Sequence, residues 1–161
     1  MFKLRILLTL AIICTIIAPL AADDDAKPTA KSEMKKLEGT WKMVSLIKGG
    51  EEIEAAVKLG IEFRFKGDKL EVHGDAPNFT PLKKVFVLDT TVTPKLLDIA
   101  ESEKELKDGK TVYEGLYSID GNTLKWCFNQ VGDAPTRGNR PTAIESKADT
   151  MTFLLTLKKD E

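Results

Sequence analysis

Few residues in this chain belong to the types that carry out chemistry. There is one histidine, His73, and there are two cysteines, Cys14 and Cys127. A Ser–His or Cys–His nucleophile pair would have to bring Cys127 or a serine within hydrogen-bond reach of that single ring. The alternation of the surrounding residues instead points His73 outward beside Glu71. One histidine with so little cysteine also falls short of the usual zinc ligand sets. Cys127 lies between Trp126 and Phe128, in phase with Lys125 and Asn129, as expected of a small packed residue rather than a reactive thiol. The acidic run Asp23-Asp24-Asp25 reads as a solvated tail, because nothing holds its carboxylates in a fixed cation shell.

Asp98 is the carboxylate that asks for a partner. It interrupts the apolar run Leu96-Leu97-Asp98-Ile99, where an unpaired charge would be costly. Lys95 and Arg140 are the candidates to pair with it. Arg140, fixed by the following Pro141, could clamp a carboxylate with both arms of its guanidinium. That carboxylate could be Asp98, Asp120 or an anionic ligand. Asp98 and Glu114 would be the acid–base pair if the chain were an enzyme. No catalytic residue, metal or cofactor is assigned, and the chain is expected not to be an enzyme.

The elements that must position these side chains read as strands. Trp41 to Ile47 is almost continuously apolar and stops at Lys48-Gly49-Gly50. Residues 51–59 carry the acids and spacing of a short helix across one end of a sheet. Ile61, Phe63 and Phe65 alternate with Glu62, Arg64 and Lys66; after the Gly67-Asp68 turn, Leu70 and Val72 resume the inward phase. Further strands are expected at 83–88, 94–99, 111–119, 123–129 and 151–158, with a turn at Asp120-Gly121-Asn122 and charged loop at 101–110. Eight short antiparallel strands with one short helix predict an all-β fold, an eight-stranded up-and-down barrel that leaves no free edge. A two-sheet sandwich has the same alternation and is the alternative.

The ends define compartment. Met1-Phe2-Lys3-Leu4-Arg5, the apolar stretch that follows and the small-residue exit Leu20-Ala21-Ala22 form a secretory signal peptide, residues 1–22, cleaved after Ala22. Residues 23–36 read as a flexible linker with one helical turn at Glu33 to Lys36, and residues 37–161 as the barrel domain. The mature chain is then periplasmic or extracellular, without stable membrane insertion. Cleavage removes Lys3 and Arg5 from the 24 basic residues, leaving 22 against 25 acidic ones, a formal charge of −3. No basic patch stands out, which argues against nucleic acid as a partner. With Cys127 the sole remaining cysteine, no intrachain disulfide can form, and a hydrophobic core must hold the domain together.

Four landmarks carry a resemblance. Leu37-Glu38-Gly39-Thr40-Trp41-Lys42, Pro94-Lys95-Leu96-Leu97-Asp98, the run from Glu114 to Cys127, and Arg140-Pro141-Thr142 resemble, in order and spacing, the small lipocalin-like domain found in many paralogous planctomycete proteins. The resemblance covers residues 37 to 158. It implies the barrel fold and export, marks Pro94, Lys95 and Asp98 together, and brings no activity with it. The Gly39-x-Trp41 step is also similar to the start of lipocalins, whose tryptophan packs across the closed end of the barrel, often beneath an arginine from the far end of the chain. Arg140 or Lys158 would take that part here.

The leading functional expectation is an exported, non-enzymatic barrel binding a small apolar or amphipathic molecule. Trp41, Tyr117 and Trp126 would line the cavity with Arg140 as polar anchor, although Trp41 also suits the part of a plug at the base. The alternative is a cell-envelope interaction or structural module with a solid core, engaging a protein through loops at 74–82, 101–110 and 130–142.

Overall fold

The computed structural model describes residues 29–130, 140–148 and 150–160. The expected signal peptide, residues 23–28 of the expected linker and loop residues 131–139 lie outside the described residues.

Nine strands follow one another antiparallel: β1 Gly39–Lys48, β2 Glu51–Glu52, β3 Glu62–Lys66, β4 Lys69–His73, β5 Leu82–Asp89, β6 Lys95–Ala100, β7 Tyr113–Asp120, β8 Thr123–Gln130 and β9 Thr152–Lys159. From β3 onward each strand pairs with the next, and β9 returns to β1 through a register running from Trp41↔Lys159 to Lys48↔Phe153. That last pairing closes eight strands into a barrel and excludes the sandwich, while β2 is a two-residue extension hydrogen-bonded to the end of β1. All eight expected strands are present. The turns are the expected ones too: Gly67-Asp68 joins β3 to β4, and Gly121-Asn122 joins β7 to β8.

The alternation sorts side chains as a half-buried sheet requires. Trp41, Met43, Phe63, Phe65, Leu70, Phe86, Leu88, Leu97, Ile99, Tyr117, Leu124, Trp126, Leu155 and Leu157 form one interior cluster together with Leu37. Two expectations fail at strand edges. Met151, assigned to the inward face of the last strand, precedes β9 and is 67% exposed. Residues 51–52, assigned to a helix, pair with β1 across the turn made by Gly49 and Gly50, so the helix α2 is confined to Glu54–Val57.

Three helices form among the described residues: the expected short one, α2; one that extends the helical turn expected at Glu33 to Lys36; and one that was not expected. Helix α1, Ala30–Leu37, is capped by Thr29, whose hydroxyl accepts from the Ser32 amide at 3.2 Å. Its Glu33 and Leu37, one turn apart on the same face, are both fully buried. Residues 30–36 are therefore part of the folded domain rather than flexible linker. Helix α3, Glu103–Lys107, forms inside the expected charged loop. Its signal is Ser102-Glu103-Lys104-Glu105, with the Ser102 hydroxyl accepting from the Glu105 amide at 3.3 Å, the first half of a capping box.

Candidate functional site

The barrel interior has two halves, and the chemistry differs between them. At the base, where β1 begins and β9 ends, α1 closes the barrel. The Trp41 indole N–H donates to the Leu37 carbonyl at 2.7 Å, and both residues are fully buried. Lys159, opposite Trp41 in the β1–β9 register, places Nζ 5.3 Å from the centroid of that indole and donates to the Lys36 carbonyl at 2.9 Å. Gly39 makes this possible: its φ is +117°, and a Cβ there would lie 3.2 Å from Lys159 Cε. The cation over the tryptophan is thus Lys159. Lys158 points outward to the Thr123 hydroxyl.

A polar cluster completes the plug. Glu33 is fully buried, and its carboxylate receives Lys36 Nζ at 2.7 Å, Lys95 Nζ at 2.8 Å and the Tyr117 hydroxyl at 3.2 Å. Burial pushes its pKa up, but the bonds and charges of Lys36 and Lys95 together outweigh burial and hold the carboxyl below its ordinary value. The Tyr117 phenol is driven well above its ordinary pKa, first by burial and then by the adjacent Glu33 charge. Lys95, expected as a partner for Asp98, is inward and belongs to Glu33 instead. Trp41 and Tyr117 are parts of a plug and do not border the apolar cavity in the other half of the barrel.

The other half of the barrel is open. An apolar cavity of about 350 Å³ lies there, bounded by residues including Met43, Phe63, Leu70, Ile99, Trp126 and Leu155. One wall is aromatic: Trp126 stacks on Phe128 at 4.0 Å, Phe128 on Phe153 at 5.4 Å, and Tyr113 meets both Trp126 and Phe128 edge-on. Leu59, just after α2, and Leu82, at the start of β5, also bound the cavity and are 50% and 48% exposed, marking where it meets solvent. Of the expected lining residues only Trp126 lines it. Tyr113 and Tyr117 share a face of β7 but are four residues apart, about 13 Å along a strand, so one belongs to the cavity and the other to the base.

Gly115 holds the aromatic wall in place. It lies between Tyr113 and Tyr117 on β7, and a Cβ there would come within 2.4 Å of the Trp126 indole nitrogen and 2.7 Å of the Cys127 carbonyl. The indole fills the space a side chain would take and donates to the Leu97 carbonyl at 3.3 Å. Gly115→Ala is expected to lower stability by about 1–3 kcal/mol through overpacking, measured by urea unfolding, and to weaken uptake of an apolar probe because Trp126 must shift.

Lys84 is the charged lining residue, and sequence reasoning missed it. It sits on β5 in phase with Phe86 and Leu88, opposite Leu70, with its ammonium bonded to Glu101 at the end of β6. The signal was available: a lysine sharing the pleat of two buried apolar residues faces the interior.

Arg140, the expected anchor inside the barrel, is outside it. Asp98 alternates with inward Leu97 and Ile99, so it projects from the outer face of β6. Arg140 Nη1 and Nη2 grip its two oxygens at 2.5 and 2.7 Å, and Nη1 also donates to the Gly115 carbonyl at 2.9 Å. The bond to Asp98 foremost, with the charges of Asp98, Glu114 and Asp89, raises the guanidinium pKa against burial. Glu114, the neighbour of Asp98 across β6 and β7, lies 3.8 Å from Nη2. The two carboxylates considered as an acid–base pair are therefore adjacent, but they share an arginine on the outer wall and take no part in lining the apolar cavity. The same outer face buries Cys127, whose thiol donates to the Glu145 carbonyl at 3.2 Å and whose pKa is raised by burial. Residues 140–146 thus lie strapped over β6, β7 and β8. His73 faces outward and contacts Glu71 at 3.2 Å.

Among the described residues no three His, Cys, Asp or Glu side chains come together as a metal site, and no helix is long and apolar enough to cross a membrane. No protein-family model matches the chain, and no curated protein matches it significantly.

Proposed function

We propose that this chain is an exported lipocalin-like domain, of the planctomycete kind its four landmarks resemble, that carries a small apolar or amphipathic ligand and catalyses no reaction. The observation that supports it is the cavity: about 350 Å³ of space walled by aromatic and aliphatic side chains and meeting solvent at one rim. Ligand sites are commonly concave, mostly apolar, and supplied with a few polar groups that fix orientation. A fully packed barrel of this size would leave no such space. The interior is solid only in its base half, where Trp41, Tyr117 and α1 sit.

Native mass spectrometry of the mature protein, followed by organic extraction, tests the reading. The expected result is a small molecule that travels with the protein and is released by solvent. The stripped protein should then take up 1-anilinonaphthalene-8-sulfonate with a rise in fluorescence. Leu46→Trp, which fills space at the cavity without touching the base, should weaken that uptake by about tenfold or more, equivalent to ~1.4 kcal/mol. A stripped protein that admits no probe, and a purified protein that releases nothing, would overturn the proposal. Export is checked separately: the intact mass of the secreted protein should begin at Asp23.

A further inference from the structure

Lys84 is out of place in a cavity meant only for hydrocarbon. Its side chain is 15% exposed, it borders the apolar space, and the partner that neutralises it is the carboxylate of Glu101, whose own side chain is 49% exposed. A largely buried ammonium needs a counter-charge, because an unpaired one is costly away from water. Glu101 does not share that constraint: it lies at the end of β6 beside α3 and can rehydrate if displaced, at the small cost typical of an exposed ion-pair partner. The arrangement therefore has a fixed cation and an exchangeable carboxylate at the edge of an apolar cavity. Lys48 places a second positive charge 5.1 Å from the ring centroid of Phe153, another cavity residue.

We propose that the ligand is a single-chain carboxylate amphiphile whose acid group takes the place of Glu101 on Lys84 while its tail fills the apolar space. This inference rests on the cavity-binding reading above and narrows it to a ligand class. The carboxylate is favoured over other polar heads because Glu101 already shows that Lys84 is geometrically suited to one. A neutral apolar molecule leaves the Lys84–Glu101 pair intact and gains nothing from it. Packed to the density of a protein interior, ~0.74 of the space, the cavity suits one modest chain rather than a multi-chain lipid.

Decanoate and decan-1-ol, which share a tail and differ in charge, are the probes, titrated calorimetrically into the stripped mature protein. Decanoate is expected to bind about tenfold or more tighter, the scale of a hydrogen bond to a charged group. Lys84→Met should abolish that preference, its fold being certified by circular dichroism; Lys84→Arg should retain it. Glu101→Gln, at a half-exposed position, should strengthen decanoate binding several-fold by removing the internal competitor. Equal binding of acid and alcohol, or a preference insensitive to both Lys84→Met and Glu101→Gln, would overturn the ligand class and leave the cavity reading standing. Failure to bind either probe, together with no uptake of anilinonaphthalene sulfonate, would overturn both.

Discussion

Trp41→Ala is expected to lower unfolding stability by about 3–5 kcal/mol, the cost of emptying a fully buried aromatic site, against a total of roughly 5–15 kcal/mol for an ordinary domain. Three interactions fail together. The indole volume vanishes from the base of the barrel, where Trp41 is 0% exposed. The Leu37 carbonyl, at the last turn of α1, loses its 2.7 Å donor. Lys159 loses the ring over which its ammonium lies. Trp41→Phe separates the first effect from the second: it keeps most of the volume and removes the donor, and should cost about 1–2 kcal/mol. Urea unfolding monitored by circular dichroism measures both. Trp41→Phe should also leave probe binding within about twofold, a small fraction of the 1.4 kcal/mol that corresponds to tenfold, because Trp41 does not border the cavity. A large loss of probe affinity in a folded Trp41→Phe protein would instead make the tryptophan a ligand contact.

How far the fold could be read from sequence follows from how strongly each segment constrains its own pleat. In β3 and β4 polar and apolar residues alternate strictly, so Phe63, Phe65 and Leu70 could be assigned inward, and all three are buried. β6 is different. Leu96, Leu97, Ile99 and Ala100 are apolar on both faces, because its outer side is covered by Arg140 and its strap and by α3. Pleat parity is then silent about whether Asp98 or Lys95 faces in; Lys95 is the interior charge, Asp98 the exterior one. Arg140 followed Asp98 outward for the same reason. Lys84 was legible from its phase with Phe86 and Leu88. Glu33 was not, since Ala30 to Leu37 is a mostly polar segment whose burial depends on the far side of the barrel: Lys95 and Tyr117 are 62 and 84 positions away in the chain. Long-range charge pairing of that kind leaves no local periodicity to detect.

Glu33→Ala is the second large effect, and pH dissects it. Removing one partner from a buried charge cluster typically costs about 3–5 kcal/mol, because the remaining charges are left uncompensated. Here Lys95, 2.8 Å from the carboxylate, and the Tyr117 hydroxyl, 3.2 Å from it, would both face an empty site within the base. Lys36, whose side chain is 55% exposed, can turn to solvent and should contribute little of the loss. Glu33→Gln keeps the shape and an acceptor for Tyr117 but no charge, so it should fall between Glu33→Ala and the parent protein. The folded-state pKa of Glu33 lies below its ordinary value because the two lysines overcome burial. Its ionised form therefore contributes stability that is fully present above the unfolded carboxyl value and is lost as pH falls through the lower folded one. The stability difference between the parent and Glu33→Gln should accordingly be flat from neutral pH down to about 5 and shrink progressively below about 4, the range in which glutamate titrates. Taking the difference cancels the titration of other carboxylates common to both proteins. A difference that stays constant down to pH 3 would mean that Glu33 titrates alike in the folded and unfolded chain, and one that widens as pH falls would mean that it is held protonated; either would overturn the charge cluster described at the base.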